Sequence, residues 1–501
     1  MKNLNNIVKK LHTPKWLFLL LSIVFILRIP SFFEPYSYGD EMIYLSLGEA
    51  IRRGIPLYSA IHDNKPPLLY IMAAIAGNLF WFKAILTIWI LATIYIFWKF
   101  MCILFPNKKD GQRAAVIIFA LLTTLPLLEG NIVNAELFMI GSTILAFTIL
   151  LSKNLTTKKI FLSGVLFSIS ILFKVPAVFD IPAIIFLWIT TEKLNNKYLK
   201  IFIKKVLLLA GGIATPIIIT AVWFFLHGAL KNYIFAAFMQ NVGYLSSWRP
   251  SDVEKSFLVR NAPLLIRGAV VAFGLVLLYL KKKSLSKKFI FASSWLLLTL
   301  FAVTLSERPY PHYLIQSVPP ISILLAILIT EKTIEQILTI IPVTLALFVP
   351  FYYHFWYYKT IPYYVRFTKL ITNKISYQEY LTSFGSHVPR DYKIANFLLK
   401  ASNKNNKVFI WGEASPIYAL SKRFPPGKYI TDYHIKDFSS EIETINILTK
   451  DMPEYIVIMP NSSNFLDLGA YLSKNYAVIE NIDGVNIWKL LSPNVRSLLS
   501  S

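Results

Sequence analysis

The feature that most limits this chain is a series of long apolar runs divided by short polar loops. Runs near 16–33, 83–105, 114–128, 137–152, 160–174, 177–191, 205–227, 263–280, 289–305, 313–330 and 335–353 come close to the roughly 20 residues that cross a bilayer. About eleven such helices leave a polytopic α-helical membrane protein as the fold class. The balance of residues agrees. Of 501 residues, 55% are hydrophobic and 16% charged, where soluble proteins carry about a quarter charged. The segment Pro66–Phe80 is short and opens on Pro-Pro, which predicts an interfacial or re-entrant helix and not a span.

The loops orient the series. Alternation puts "FPNKKDGQR", "SKNLTTKK", "TEKLNNKYLKIFIKK", "KKKSLSKK" and "TEKTIEQ" on one side, and four of these five are lysine-rich. The other side holds Asp40, Glu41, Glu129, Glu136, Asp252, Glu254 and Glu307. By the positive-inside rule the first side is cytoplasmic. Lys9, Lys10 and Lys15 precede Trp16–Pro30, which lacks a small-residue cleavage site and is expected to be a permanent first helix with its N-terminus inside. The expected location is the cytoplasmic (inner) membrane, multi-pass. The net charge of +24 then belongs to loops at a membrane and does not point to nucleic acid. The single Cys102 lies in an apolar run, so there is no disulfide framework.

From residue 385 the texture changes. "KVFIWG", "KYIT", "EYIVIMP" and "YAVIENIDGVNIWKL" read as short strands, with Asp483-Gly484 a hairpin turn. "RDYKIANFLLKA" and "EIETINILTK" have helical spacing. The organisation is therefore a transmembrane module over 1–384, whose first external loop is 34–82, and a small extracytoplasmic α/β domain over 385–501. The aromatic stretch "HFWYYKTIPYYVRFTKL" between them is expected to pack at the membrane interface.

The stretch "YGDEMIYLSLGEAIRRGIPLYSAIHDNKPPLLY" follows the first run and concentrates polar chemistry. Ile43, Leu47, Ala50 and Ile51 share one helical face, which predicts an amphipathic helix on the bilayer surface. Asp40 and Glu41 open that helix. A carboxylate there suits removal of a hydroxyl proton, while Gly-Asp-Glu is also an ordinary helix start with Asp40 as its cap. Lys65, Glu136, Lys174, Arg308, Tyr310, His312 and Tyr313 emerge on the same side, as does Arg28 from the first run. Each has a plain reading: a snorkelling lysine, a paired arginine, an interfacial histidine, an acid bound to the next helix. Convergence on one face is what those readings leave unexplained. Cations suit a phosphate. There is no GxxxxGK[ST] loop, HExxH or CxxC, and the seven histidines are scattered.

The stretch resembles the first external loop of the GT-C glycosyltransferases, among them glycosyltransferase family 39, the protein O-mannosyltransferases, and the bacterial aminoarabinose transferases. "NAELF", "LFKVPA", "RPYPHYLIQSVPP" and "VFIWGEASPIYALSKRFP" are similar to later parts of that family. The resemblance implies a GT-C-like fold and transfer of a sugar from a polyprenyl-phosphate-linked donor on the extracytoplasmic side. It implies Asp40 as catalytic base with Glu41 beside it, Lys65 at the donor phosphate, Glu136 as the second-loop acid, and His312 and Tyr313 as donor contacts. Arg308 and Lys174 are further candidates for the phosphate and lipid. The expected partners are the lipid-linked donor, a protein, lipid or glycan acceptor, and membrane lipids. No cofactor is required by this chemistry, and a divalent metal is left unassigned. The full aminoarabinose-transferase signature and the large lumenal repeats of the eukaryotic mannosyltransferases are absent from the sequence. The competing reading is a lipid-linked sugar transporter or flippase that makes no bond. Its mark is polar residues on both sides of the midplane, and here they collect on one.

Overall fold

The computed structural model describes residues 13–191, 195–243, 256–460 and 462–500. Lys9, Lys10, Asp252 and Glu254, used above for orientation, lie outside them. Each of the eleven apolar runs is helical where described. Among the described residues, seven helices are long and apolar enough to cross a membrane: Lys15–Phe33, Leu79–Leu104, Asn196–Leu226, Phe257–Leu280, Lys287–Thr304, Pro311–Thr330 and Ile334–Tyr352. Ala135–Leu150 and Val175–Thr191 are apolar but shorter. Lys109–Leu122 has 14 residues and Thr157–Phe173 has 17. Fourteen residues make about 21 Å of helix, short of a hydrocarbon layer of ~30 Å. Ala135–Leu150 is buried on all sides from Ala135 to Ile144. Asn196–Leu226 and Phe257–Leu280 leave most of their apolar side chains exposed, as a lipid-facing helix does. The chain is a multi-pass membrane protein.

The Pro66–Phe80 run is no span. Its helix, Leu68–Ala76, is nine residues long and stops at Gly77, whose φ is +71°. The side chain of Asn78 then accepts from the backbone N–H of Trp81 at 3.0 Å and caps Leu79–Leu104.

The helix Gly39–Arg52 departs from expectation. It does not lie open on a bilayer surface, because residues 41–48 are buried all round. It packs between Leu68–Ala76 on one side and the helix Ser415–Ser421 of the C-terminal region on the other. The C-terminal region covers the face that the sequence pattern assigns to solvent. Gly48 permits the close approach on the inner side, since a Cβ there would lie 2.6 Å from the backbone of Ala73 and Ala74.

The C-terminal region holds a four-stranded sheet of β1 (Val408–Trp411), β2 (Tyr455–Ile458), β3 (Tyr476–Ile482) and β4 (Val485–Leu490), in the order β1-β2-β4-β3. β1 and β2 are parallel and the other pairs antiparallel. Asp483 and Gly484 join β3 to β4 with φ of +49° and +83°, the left-handed pair that a tight hairpin demands. One strand expectation is corrected. "KYIT" (428–431) is not in the sheet, because its backbone is used elsewhere: the carbonyl of Lys428 accepts from the N–H of His62 in the first loop at 2.8 Å. Other bonds bind the same two regions. Ser415 Oγ donates to the carbonyl of Gly39 at 3.0 Å, Tyr392 Oη accepts from the N–H of Tyr36 at 3.0 Å, and Arg53 donates to the carbonyls of Lys404 and Lys422. The first loop is thus a layer held between the bundle and the sheet domain. Gly48→Val is expected to destabilise that layer by about 1–3 kcal/mol through overpacking; the check is loss of monodisperse protein at a lower temperature than wild type during heating in detergent.

Candidate functional site

Between the bundle and the sheet domain lies a cavity of about 1100 Å³. Asp40, Lys65, Glu136, Lys174, Arg308, His312 and Tyr313 all line it, although they come from five separated stretches of sequence. Val178, Phe179, Phe238, Leu264, Phe301 and Leu305 give it an apolar flank.

Glu41 is the exception among the expected site residues. Neighbours on a helix point about 100° apart, and Glu41 faces away from the cavity into a buried ionic cluster. Lys83, wholly buried, lies 2.6 Å from Glu41 and 2.7 Å from Glu34. Glu41 also accepts from the N–H of Val133 at 2.5 Å, and Glu34 accepts from Asn131 and Tyr363, each at 2.6 Å. Burial pushes the Glu41 carboxyl up to about 7 against the pull of Lys83. Such a shift would fit a base, but a side chain 1% exposed behind the helix reaches no substrate. Placing both acids of the Asp-Glu pair at the reacting centre is therefore corrected: Glu41 anchors the helix. Arg28 likewise has a fold role, donating to Thr87 at 3.0 Å and to the carbonyl of Gly130 at 2.7 Å.

Asp40 does not cap its helix. Tyr38 holds that position without a side-chain bond, and Asp40 lies in the first turn with 31% of its side chain exposed to the cavity. Its carboxylate accepts from Tyr44 Oη at 2.8 Å and lies 3.8 Å from Lys65 Nζ. Burial raises its pKa, but Lys65, His312 and the Tyr44 hydroxyl outweigh burial and hold it below the ordinary carboxylate range. Asp40 is therefore ionised at neutral pH.

Lys65 lies over the Tyr44 ring at 4.9 Å and 3.6 Å from Asp63. Asp63 is a site residue the sequence reading missed, although "HDNKPP" places it two residues before Lys65. It lines the cavity at 1% exposure and accepts from Tyr70 Oη and the Asn64 N–H, both at 2.8 Å. Burial raises its pKa, yet Lys65, His434 and these two donors bring it down to about 2.

Across the cavity, Lys174 pairs with Glu136 and lies 3.9 Å over the Tyr313 ring. His312 Nε2 is 3.9 Å from Glu136, while its Nδ1 is bonded to Glu129. Glu129, also missed as a site residue, is fully buried and accepts from Tyr38 Oη at 3.0 Å. Its φ of +59° is a backbone state that nothing in "LLEGN" announces. Glu307 pairs with Arg267 at 3.1 Å, and Arg308 lines the cavity. The cations Lys65, Lys174 and Arg308 all come from the membrane module, while Asp391, Glu413 and Asp437 line the opposite wall. With Asp40, Asp63 and Glu136 beside those cations, the site holds both signs of charge, the mixture of acids and cations the sequence suggests. Among the described residues no three His, Cys, Asp or Glu side chains are grouped to hold a metal ion.

No family model matches the sequence, and no curated protein does. Solved structures match its fold. ArnT from Cupriavidus metallidurans bound to undecaprenyl phosphate superposes with a TM-score of 0.56 and 11% identity over 95% of this chain and 98% of that one. The same protein in the apo state gives 0.52 and 13% over 96% and 98%. The archaeal oligosaccharyltransferase AglB from Archaeoglobus fulgidus, in complex with an inhibitory peptide and a dolichol-phosphate, gives 0.45 and 13% over 90% and 70%. The chain has the fold of the GT-C membrane glycosyltransferases.

The Asp63 carboxyl yields a prediction on stability. Its folded pKa, about 2, lies below the unfolded value, near 3.9. The folded state therefore binds fewer protons, and Asp63 contributes stability on the order of 2 kcal/mol above pH 4 that is lost as the pH falls toward 2. Asp63→Asn is expected to lower the unfolding temperature at pH 7, with the gap from wild type closing between pH 4 and pH 2 in thermal scans.

Proposed function

We propose that this chain transfers a sugar from a polyprenyl-phosphate-linked donor to an acceptor hydroxyl, by a single inverting displacement with Asp40 as base. The observation that carries this reading is the meeting of an ionised Asp40, Lys65, Arg308, His312 and Tyr313 in one cavity with an apolar flank. An apolar flank suits a prenyl chain, and a lysine and an arginine suit its phosphate. A chain of the same fold, ArnT, bound to undecaprenyl phosphate, supports a lipid phosphate as the ligand.

The acceptor oxygen attacks the anomeric carbon of the lipid-linked sugar. As the new C–O bond forms, its proton passes to Asp40. The bond from the anomeric carbon to the phosphate oxygen breaks, and the electron pair leaves on the polyprenyl phosphate. The anomeric centre inverts. Lys65 stabilises the charge developing on the phosphate, with Arg308 and His312 beside it, in a cavity partly closed to water where such stabilisation is strongest. Glu129 orients the His312 ring, and Glu136 holds Lys174. Phosphate is already a good leaving group, so the displacement requires no cofactor, and a divalent ion has no assigned place. The reaction runs on the extracytoplasmic face of the inner membrane, with the N-terminus inside. The acceptor is a protein, lipid or glycan hydroxyl.

Asp40→Asn is expected to lower transfer about 10²–10⁴-fold, measured as radiolabelled sugar passed from synthetic polyprenyl-phosphate sugars in membranes. Near-wild-type transfer would remove the base assignment. A wild-type chain that moves the lipid across the bilayer without making a glycosidic bond would replace the enzyme reading by the transporter. Lys65→Ala is expected to raise the donor KM about tenfold or more, as loss of a hydrogen bond to a charged group does. Without Lys65 the Asp40 pKa rises, so the acidic limb of any residual activity moves to higher pH. A donor KM and an acidic limb both unchanged would place phosphate binding elsewhere.

A further inference from the structure

The wall that the sheet domain contributes to the cavity is unused in this mechanism, and two of its side chains carry a buried polar atom with no hydrogen bond. His434 is 5% exposed and Thr431 is 3% exposed, and both line the cavity. His434 Nδ1 and Thr431 Oγ1 make no hydrogen bond. Thr431 holds the N-cap position of the helix Asp432–Phe438, where a threonine hydroxyl normally accepts from the helix backbone, yet it makes no such bond. Buried polar groups left unpaired destabilise a fold, so each one calls for an explanation, and a ligand that supplies the missing partner is one.

The position of these groups narrows the ligand. His434 Nε2 is 3.7 Å from Asp63, and Asp63 is 3.6 Å from Lys65. A group bound here is therefore a near neighbour of whatever Lys65 holds. Burial, opposed by Asp63, lowers the His434 pKa and keeps the ring neutral near pH 7, with one nitrogen donating and the other accepting. Glu413 and Asp437 line the same wall, and carboxylates accept from hydroxyls. A neutral imidazole, a hydroxyl and carboxylates together suit a hydroxyl-bearing sugar ring and not a second phosphate.

We propose that this wall is the subsite for the donor's sugar, with His434 and Thr431 bonding its hydroxyls and selecting which sugar is accepted. The proposal rests on the glycosyltransferase reading and assigns the sheet domain a direct part in donor recognition. Its test uses the full chain purified in nanodiscs and two sets of probes. One is bare undecaprenyl phosphate; the other is undecaprenyl phosphate carrying mannose, glucose or arabinose.

Wild type is expected to bind at least one glycosylated lipid about tenfold more tightly than the bare lipid, the gain that one or two good hydrogen bonds provide. His434→Ala and Thr431→Val are each expected to erase most of that gain and to leave bare-lipid binding unchanged. Thr431→Val also guards against a folding artefact. Removing an unpartnered hydroxyl leaves the unfolding temperature equal or higher, so lost sugar binding in a stable protein is a ligand effect. Variants that keep the full gain overturn the proposal. So does an equal loss for bare and glycosylated lipid, which would make His434 a positioning residue for Asp63 and Lys65. Loss confined to the acceptor KM would assign the wall to the acceptor and also overturns it. If wild type binds bare lipid but gains nothing from any sugar, the subsite fails while the donor-phosphate reading stands. If it binds neither lipid, both fall.

Discussion

One buried ammonium sets the geometry of this protein. Lys83 lies near the N-terminal end of Leu79–Leu104 with no solvent contact, and it holds Glu34, Glu41 and the carbonyl of Asn131. Through Glu34 the cluster reaches Tyr363, and through Glu41 it reaches the backbone of Val133. Two interhelical loops and the 360–371 helix therefore meet at a single charge. Burying that charge is unfavourable unless every partner is in place; removing one partner from such a cluster typically costs about 3–5 kcal/mol. The cluster acts as a register device. With Glu41 locked behind the helix Gly39–Arg52, the rotation of that helix is settled, and Asp40, one residue earlier, must face the cavity. A helix held by apolar packing alone would tolerate small rotations; one held by an ammonium and a backbone N–H does not.

The second consequence concerns layering. Gly39–Arg52 and the loop after it are covered on one side by the bundle and on the other by the sheet domain, through Ser415, Tyr392 and the carbonyl of Lys428. The carboxylates and ammonium of the first loop are thus enclosed between two protein layers. This is an intermediate environment. It is dry enough to strengthen charge interactions and wet enough at 31% exposure for Asp40 to exchange a proton. It also explains why two acids remain ionised around Lys65. Their hydrogen bonds to Tyr44, Tyr70 and Asn64 replace the water that burial removes.

Much of this architecture is legible in the sequence, and the reasons differ by element. Long apolar runs admit few structures, and all eleven are helical where described. The Asp483-Gly484 turn is equally constrained, since few residue pairs accept two positive φ values. Seven candidate site residues lie on the cavity because charged groups at a membrane edge have few places to go. Three things resist sequence reading. The burial of Gly39–Arg52 depends on a domain that begins more than 300 residues later, and local periodicity carries no trace of it. The divergence of Asp40 and Glu41 follows from helix rotation, which Lys83 decides from another segment. Glu129 and His434 are joined to the site by tertiary contact alone. Asp63 is different: an acid two residues before Lys65 was a local signal, and reading the lysine without its neighbour overlooked it.

The polarity of the cavity connects these points. The membrane side carries Lys65, Lys174 and Arg308 together with Asp40, Asp63 and Glu136, while Asp391, Glu413 and Asp437 line the domain side. In the proposed reaction an anionic headgroup finds its lysine and arginine partners on the membrane side, where Lys65, Lys174 and Arg308 lie. Under the proposed sugar subsite, a group attached to that anion faces Thr431, His434 and the acids beside them. Asp40, the proposed base, lies beside Lys65 at the boundary between the two walls. In this arrangement the bundle and the first loop supply the charge chemistry, and the sheet domain supplies the surface that neutral groups contact. Neither layer completes the cavity without the other, and the contacts that join them do as much to define the site as any residue that lines it.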